Sequence, residues 1–290
     1  MEGLLALSQD LATAVDRAGG AVLGVAARPR LGSTGVHWRR GLVVTANHTV
    51  QTDGGITVTR ADGRTVGATL AARDPAIDIA ILKADGLDGG IAEIADSSAA
   101  RVGHIVLALG AGPRASLGVI SAIGADGTDL LGLDLTLYPG FSGGPLVNAA
   151  GQVLGLITSG RSRHLQVAVP SATVSRVVDE LTRRGRLPQA YLGVGTQPVR
   201  LPASIREQLS LAQETAVIVV DVQPDSPAAR GGLTLGDIVL SLGGTTITEP
   251  NDLRRVRRPD RVGQRLAASV WRGDRARDIE VVVAERSGRD

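Results

Sequence analysis

The hydrophobic pattern divides the chain into three stretches. Residues 1–20 place apolar side chains near one helical face before a Gly-Gly break, which predicts a short amphipathic N-terminal helix. Residues 21–184 are dominated by short apolar runs separated by Gly, Asp and Pro, which predicts a barrel or sandwich of many strands. The runs include AVLGVA, GLVVTA, ITVTR, TVGATLA, IAILK, HIVLALG, LGVISAIG, VLGLITS and LQVAV.

A helical pattern follows the last of these runs. In SATVSRVVDELTRRG, Ser171 is predicted to cap the helix and Gly185 to end it. The segment 185–190, GRLPQA, is typical of a linker. Residues 191–286 then mix strand and helix patterns over about the length of a small domain, which predicts a second, α+β domain.

Composition limits the chemistry that the chain can perform. Hydrophobic residues make up 43% of the 290 residues, Gly accounts for 38, and the net charge is +2. This charge does not indicate a nucleic-acid or membrane surface. The chain has no cysteine, which excludes disulfides and thiol catalysis. His37, His104 and His164 show no metal-ligand spacing, so neither a metal nor another cofactor is expected.

The N-terminus and the apolar runs bear on the cellular compartment. The N-terminus carries acidic residues and lacks a basic region, unlike a signal peptide. No apolar run approaches the ~18–20 residues that span a bilayer. A cytoplasmic protein is therefore expected from the sequence as given, with a periplasmic or extracellular location as the alternative if a targeting segment is missing.

The segment PGFSGGPLV carries a candidate nucleophile, Ser142. Glycines on both sides allow a tight turn that directs two N–H groups, those of Gly140 and Ser142, towards one point. Such a pair can bind the oxyanion that develops during acyl transfer. A Gly-rich hairpin without catalytic function has the same local pattern, so this segment alone does not decide between them.

A serine nucleophile needs a base, and the base needs an orienting carboxylate. His48 follows an apolar strand in VVTANHTV, and Asp78 begins the apolar strand of DPAIDIAILK. A buried acid requires hydrogen bonds, which an imidazole N–H can supply. The alternatives are a half-buried structural histidine and a solvent-exposed aspartate at a strand entry.

Together, TANHTV, DPAIDIAILK and GFSGGPLVN resemble the corresponding segments of the HtrA/Deg family of serine proteases, in the chain order of trypsin-like peptidases. The resemblance implies two six-stranded β-barrels with a Ser142–His48–Asp78 triad between them, and an oxyanion hole at Gly140 and Ser142. It also implies an ATP-independent endopeptidase that acts on unfolded or damaged proteins, and it allows a homo-oligomer.

The family layout also suggests the specificity pocket. Leu135 and Thr136 are expected near its floor, and Thr158, Ser159 and Gly160 are expected to form a wall. Because the floor has no acid, small or medium aliphatic side chains should be preferred over Arg or Lys. Family members usually have Asn where this chain has Phe141, a ring that could alter the oxyanion turn or close a neighbouring subsite.

The C-terminal domain carries a second resemblance. Tyr191-Leu192-Gly193-Val194 resembles the carboxylate-binding loop of PDZ domains, and DSPAARGGL followed by GDIVL resembles the middle of an HtrA-type PDZ domain. Backbone N–H groups of such a loop hold a peptide C-terminus, and the next strand edge adds the peptide as a strand. An ordinary strand entry is the alternative.

Two other functions remain open beside the active endopeptidase. A latent or inactive protease-like scaffold could bind unfolded chains or partner C-termini, and an esterase could use the same triad. The esterase is disfavoured because Ser142 does not lie in a G-x-S-x-G elbow. The arginine-rich stretch 254–265 lacks aromatic stacking partners, so nucleic acid is not an expected partner.

Overall fold

The computed structural model describes residues 2–29, 31–52, 54–112, 114–124, 129–160, 166–185, 190–256 and 261–285. The chain divides into two compact units, Met1–Leu187 and Pro188–Asp290. Most of the predicted linker 185–190 lies outside the described residues, so the proposed domain boundaries there stay a prediction.

Helix α1, Glu2–Gly19, opens the first unit. Ala14 and Ala18 are buried against the core, but Leu4 and Leu5 are 75% and 68% exposed. Only the C-terminal half of the predicted apolar face therefore packs within this unit.

The first closed barrel has the strand order β1-β2-β3-β6-β5-β4, and every neighbouring pair is antiparallel. The side chains that fill the barrel are aliphatic and buried from solvent, which explains the short Val-, Leu- and Ile-rich runs. Its strands are β1 Val22–Ala26, β2 Ser33–Arg39, β3 Leu42–Ala46, β4 Ile56–Thr59, β5 Thr65–Asp74 and β6 Ile79–Lys83.

The second closed barrel repeats this arrangement in the order β10-β11-β12-β9-β8-β7. A shared hydrophobic cluster joins side chains of both barrels with those of α1 and the helix after β12. The fold prediction of two six-stranded barrels is therefore confirmed. The strands are β7 Ile105–Gly110, β8 Arg114–Ile123, β9 Leu131–Asp134, β10 Pro145–Asn148, β11 Val153–Thr158 and β12 Gln166–Pro170.

Helix α2, Ser171–Arg184, follows β12 and packs on β11 and β12. Gly185 ends it in the left-handed conformation at φ +69°, as predicted, and its N–H donates to the Leu181 carbonyl. The predicted Ser171 cap is wrong. Ser171 is the first helical residue, and its hydroxyl donates to the Ala95 carbonyl 2.7 Å away, which satisfies a buried polar group instead of the helix end.

The second unit is a PDZ-like β domain with the sheet order β14-β15-β16-β18-β19 and β17 paired to β16. A small ladder, β13 with β20, lies beside this sheet. The strands are β13 Ala190–Tyr191, β14 Val194–Arg200, β15 Thr215–Val222, β16 Ile238–Leu242, β17 Thr245–Thr246, β18 Arg265–Arg272, β19 Arg275–Val282 and β20 Ala284–Glu285. The helices are α3 Ala203–Gln208, α4 Pro227–Arg230 and α5 Pro250–Val256.

Candidate active site

His48 and Asp78 meet because of the register of the first barrel. Antiparallel β3 and β6 pair Ala46 with Ile79, so the residues just after β3 and just before β6 are neighbours. A short 3₁₀ turn, Asn47–Thr49, carries His48, and the Asn47 N–H donates to the Asp78 carbonyl at 3.0 Å. Asp78 has a φ of +59°, a region that Asp tolerates better than most residues.

The Asp78 carboxylate is almost fully buried, with 4% of the residue exposed, and both oxygens accept hydrogen bonds. Oδ1 accepts from the His48 backbone N–H at 2.8 Å, and Oδ2 lies 2.7 Å from His48 Nδ1. Oδ2 also accepts a short hydrogen bond from the Thr158 hydroxyl. Because a carboxylate only accepts, the proton of a neutral His48 lies on Nδ1, which leaves Nε2 with its lone pair available.

Ser142 approaches this pair from the second barrel. Its Oγ lies 2.9 Å from the Ser159 Oγ, which in turn lies 3.4 Å from His48 Nε2. The structure therefore brings the three predicted triad residues to one place, with the Ser159 hydroxyl between Ser142 and His48.

Glycines are required where the segments of the site come closest. Gly143 has a φ of +86°, and a Cβ there would lie 2.2 Å from the Thr34 carbonyl oxygen. A Cβ at Gly160 would lie 2.8 Å from His48 Nδ1 and 2.9 Å from Asp78 Oδ2. Gly160 was predicted only as part of a pocket wall. The structure shows that this position also has to be glycine, because any side chain would displace the His48–Asp78 pair.

The predicted oxyanion donors are free within the described part of the chain. Neither the Gly140 nor the Ser142 N–H donates to another described residue, whereas the N–H groups of Phe141 and Gly143 are bonded to the carbonyls of Tyr138 and Ile157. The Phe141 ring is 1% exposed and packs in the core of the second barrel. It therefore does not protrude into a neighbouring subsite.

The residues predicted for the specificity pocket lie in different environments. Leu135 is half-buried against the core of the second barrel, and Thr136 is exposed. Thr158 is fully buried, and its hydroxyl is occupied by Asp78. Ser159 and Gly160 border His48 directly. Assignment of these residues to a pocket floor and wall stays a prediction.

Thr34, on β2, was not predicted as a site residue. Its hydroxyl donates to the Gly140 carbonyl at 2.7 Å, and its N–H donates to the Ser142 carbonyl at 3.1 Å. Thr45 donates to the Thr34 carbonyl at 2.7 Å. These contacts join the first barrel to the nucleophile loop. The sequence gives no signal for them, because Thr34 belongs to no motif and lies far from Ser142 in the chain.

The predicted carboxylate-binding loop lies between β13 and β14 of the PDZ-like domain. Gly193 has a φ of +73°, and a Cβ there would lie 2.3 Å from the Ser226 Cβ. Among the described residues, the N–H groups of Leu192 and Gly193 have no backbone acceptor, while their carbonyls accept from Ala228 and Gln223. Strand β14 begins at the next residue and is an edge strand of its sheet, so among the described strands its outer edge beside the loop is unpaired.

Comparisons with known proteins identify both units. A family model described as a trypsin-like peptidase domain matches residues 33–156, and a PDZ domain model matches residues 190–283. A periplasmic serine endoprotease, DegP-like, from Brucella suis biovar 1 (strain 1330) is 35% identical over 260 residues, covering 84% of this chain. The corresponding protein of Rhizobium meliloti (strain 1021) is 33% identical over 272 residues, covering 88% of this chain. The chain spans about half the length of these relatives, 50% and 54%.

Solved structures agree with this assignment. The HtrA-type protease AlgW with decapeptide has a TM-score of 0.68 and 27% identity, covering 96% of this chain and 99% of that one. The serine endoprotease from Yersinia pestis has a TM-score of 0.68 and 27% identity, covering 96% and 98%. Each of these solved structures therefore contains counterparts of both barrels and of the PDZ-like unit.

The expected cytoplasmic location is wrong. The DegP-like relatives from Brucella suis and Rhizobium meliloti are named as periplasmic endoproteases. Within the described part of the chain, no helix is both long and apolar enough to cross a membrane. The N-terminal composition on which the expectation rested was therefore a poor guide to the compartment.

The motifs around His48, Asp78 and Ser142 agree with the order of the two matched domain types. They also agree with the similarity to DegP-like relatives and with the match to HtrA-type structures along nearly the whole chain. The chain belongs to the HtrA/Deg family and consists of a trypsin-like peptidase domain followed by a PDZ domain.

Proposed function

We propose that this chain is a serine endopeptidase that cleaves unfolded or damaged proteins by acyl-enzyme chemistry and needs no cofactor. The observation that carries the proposal is the hydrogen-bonded Asp78–His48 pair, whose Nε2 lies one hydroxyl away from Ser142 beside two free N–H donors. A scaffold that only binds chains would not need a buried carboxylate directed at an imidazole.

Each residue then has a defined role. His48 Nε2 takes the Ser142 hydroxyl proton while Ser142 Oγ attacks the substrate carbonyl, and the oxyanion is bound by the N–H groups of Gly140 and Ser142. His48 then gives the proton to the departing amine. In the second half of the reaction, water attacks the acyl-enzyme while His48 takes its proton, and His48 then returns that proton to the departing Ser142 Oγ. Asp78 holds the His48 tautomer and stabilises the imidazolium that forms in each transition state.

Substrate preference is proposed from the residues that are expected to line the specificity pocket. Leu135 and Thr136 carry no charge that could bind an Arg or Lys side chain, and Ser159 and Gly160 present little bulk. We expect cleavage after small or medium aliphatic residues. A library of peptides that differ only before the scissile bond tests this, and preferred cleavage after Arg or Lys would contradict it.

The PDZ domain binds peptides, and we propose that it captures exposed C-termini. The unbonded N–H groups of Leu192 and Gly193 support a carboxylate at the loop, and the free edge of β14 supports addition of the peptide as a strand. Binding of a peptide with a free C-terminus, lost when that terminus is amidated, tests this role.

The assembly and location are also proposals. α1 exposes Leu4, Leu5 and Leu7, and such apolar side chains favour contact with another surface. We propose a homo-oligomer that works in the periplasm, as the DegP-like relatives are named to do. Light scattering of the purified chain checks the oligomer, and fractionation of the producing cell checks the compartment.

Cleavage of unfolded casein is the direct test of the proposed activity. Wild type should cut casein without ATP, and Ser142→Ala should bind it without cutting. Binding without cutting by wild type, even with a PDZ peptide present, would favour the latent scaffold instead. Turnover of small esters without peptide cleavage would favour an esterase.

A further inference from the structure

The nucleophile loop begins with a four-residue turn from Tyr138 to Phe141. The Phe141 N–H donates to the Tyr138 carbonyl at 3.1 Å, and Gly140 has a φ of +91°. Pro at the second position and a left-handed Gly at the third are the features of a type II turn. A type I turn over the same residues would rotate the Pro139–Gly140 peptide by roughly 180°. The orientation of this peptide is therefore the variable on which one oxyanion donor depends.

Arg114 contacts the carbonyl of that peptide. At the start of β8, its Nη1 donates to the Pro139 carbonyl at 3.3 Å. The described chain contains no cis peptide bond, so the Gly140 N–H points away from the Pro139 carbonyl. With the carbonyl on the Arg114 side, the N–H points in the opposite direction, on the other side of the C–N bond. The other oxyanion peptide is held in the same manner, because the Gly144 N–H donates to the Phe141 carbonyl at 2.9 Å.

The guanidinium of Arg114 is itself held in place. Its Nε donates to the Ala111 carbonyl at 3.0 Å, and its Cζ lies 5.2 Å from the centre of the Phe141 ring, within cation–π range. Phe141 is the only phenylalanine of the chain. Its ring fills space next to Gly110, where a Cβ would approach it to 2.4 Å. The residue before the nucleophile therefore anchors the loop in the barrel and supports the arginine.

We propose that Arg114, supported by Phe141, is a positioning residue of the oxyanion hole. Its role is to keep the Gly140 N–H directed at the developing oxyanion, and it does not act on the His48–Asp78 pair. This inference rests on the proposed endopeptidase function. The contacts that carry it join residues of the peptidase domain.

The test compares Arg114→Gln, Arg114→Lys and wild type as intact chains. Arg114 is exposed, so the variants should fold, with melting temperatures close to that of wild type. Because removal of a whole oxyanion donor costs roughly 10²–10³ in kcat, loss of its orientation should lower kcat for labelled casein about 10–100-fold with little change in KM. The rate of labelling by a fluorophosphonate, whose phosphonyl oxygen occupies the oxyanion position, should fall in parallel. Arg114→Lys should recover part of both.

Arg39→Gln is the matched control, because Arg39 is an exposed arginine of the same domain with an ion pair to Asp179. It should leave kcat and labelling unchanged. A reactive wild type with an equally reactive Arg114→Gln would overturn the Arg114 inference alone, as would a rise in KM at constant kcat, which would indicate substrate binding. An unreactive wild type would overturn the proposed function and this inference together.

Discussion

Both domains bury aspartates, and two of these, Asp78 and Asp237, have different partners. Asp78 of the peptidase domain contacts the His48 imidazole and the Thr158 hydroxyl. Asp237 of the PDZ domain is fully buried and accepts from Arg272 Nε at 2.6 Å and Nη2 at 2.7 Å. Thr234 donates to it from both N–H and hydroxyl. One carboxylate faces a titratable group, and the other faces a permanent cation.

This difference separates function from stability. The guanidinium balances the Asp237 charge at all times, so the pair contributes mainly to holding the PDZ fold together. In the proposed mechanism His48 becomes an imidazolium as it takes the Ser142 proton, so Asp78 stabilises the transition state more than the resting enzyme. Substitutions at the two positions should therefore change different measurements.

Asp78→Asn should have the largest effect. An amide at this position cannot hold the His48 tautomer or stabilise the imidazolium. We therefore expect kcat to fall about 10⁴-fold, which corresponds to an increase of ~5.5 kcal/mol in the activation free energy. The melting temperature should change little. Steady-state kinetics on casein with parallel calorimetry would measure both, and a kcat within tenfold of wild type would break the distinction.

Asp237→Asn should change stability and spare catalysis. Removing one partner of a buried ion pair costs about 3–5 kcal/mol. Since 28% of the Arg272 side chain stays exposed, water can solvate part of the remaining charge, and about 2–3 kcal/mol is expected. Hydrogen exchange resolved by domain should show the loss in PDZ amides only. Equal loss of protection in both domains, or a fall in kcat, would contradict the account.

A pair of threonine variants refines the comparison with a smaller effect. Thr158→Val removes one hydrogen bond to Asp78 and should lower kcat about 10–100-fold, because hydrogen bonds to charged groups contribute roughly 1.5–3 kcal/mol. Thr234→Val removes the matching hydroxyl from Asp237 and should lower only PDZ protection. If Thr158→Val weakened stability without affecting kcat, Thr158 would have a purely structural role.

The dependence of PDZ stability on acid is the last difference. Burial of Asp237 opposes its ionisation, but the Arg272 guanidinium and the Thr234 donors outweigh burial and hold the pKa of this carboxyl below 3.8. The stability that this charge contributes is complete above about pH 3.8 and is lost as the pH falls through the lower folded pKa. Wild-type PDZ amides should lose protection in this range more steeply than those of Asp237→Asn. Parallel profiles would contradict this.

Sequence periodicity found most of the fold and failed where strands are short or polar. The strand β2 reads STGVHWR, and its Thr34 and His37 are buried polar residues with hydrogen bonds supplied by distant segments. β9 and β10 have only four residues each, and β10 begins with Pro145, which is tolerated at the first position of a strand. Alternation of apolar residues cannot reveal such strands.

Motif reasoning had a similar limit at the site. It located His48, Asp78 and Ser142 because each lies in a distinctive local segment. It could not foresee that the Thr158 hydroxyl would bind Asp78 or that Arg114 would hold the Pro139 carbonyl. These contacts join residues distant in sequence, so only the packed barrels bring them together.

The central claim is that Ser142 is an activated nucleophile, and mapping a fluorophosphonate adduct by mass spectrometry tests it most directly. Purified wild type and Ser142→Ala should be treated under conditions in which both are folded. The account predicts a single adduct, on Ser142, that is absent from the variant. A folded wild type that forms no adduct, or forms one elsewhere that Ser142→Ala retains, would contradict it.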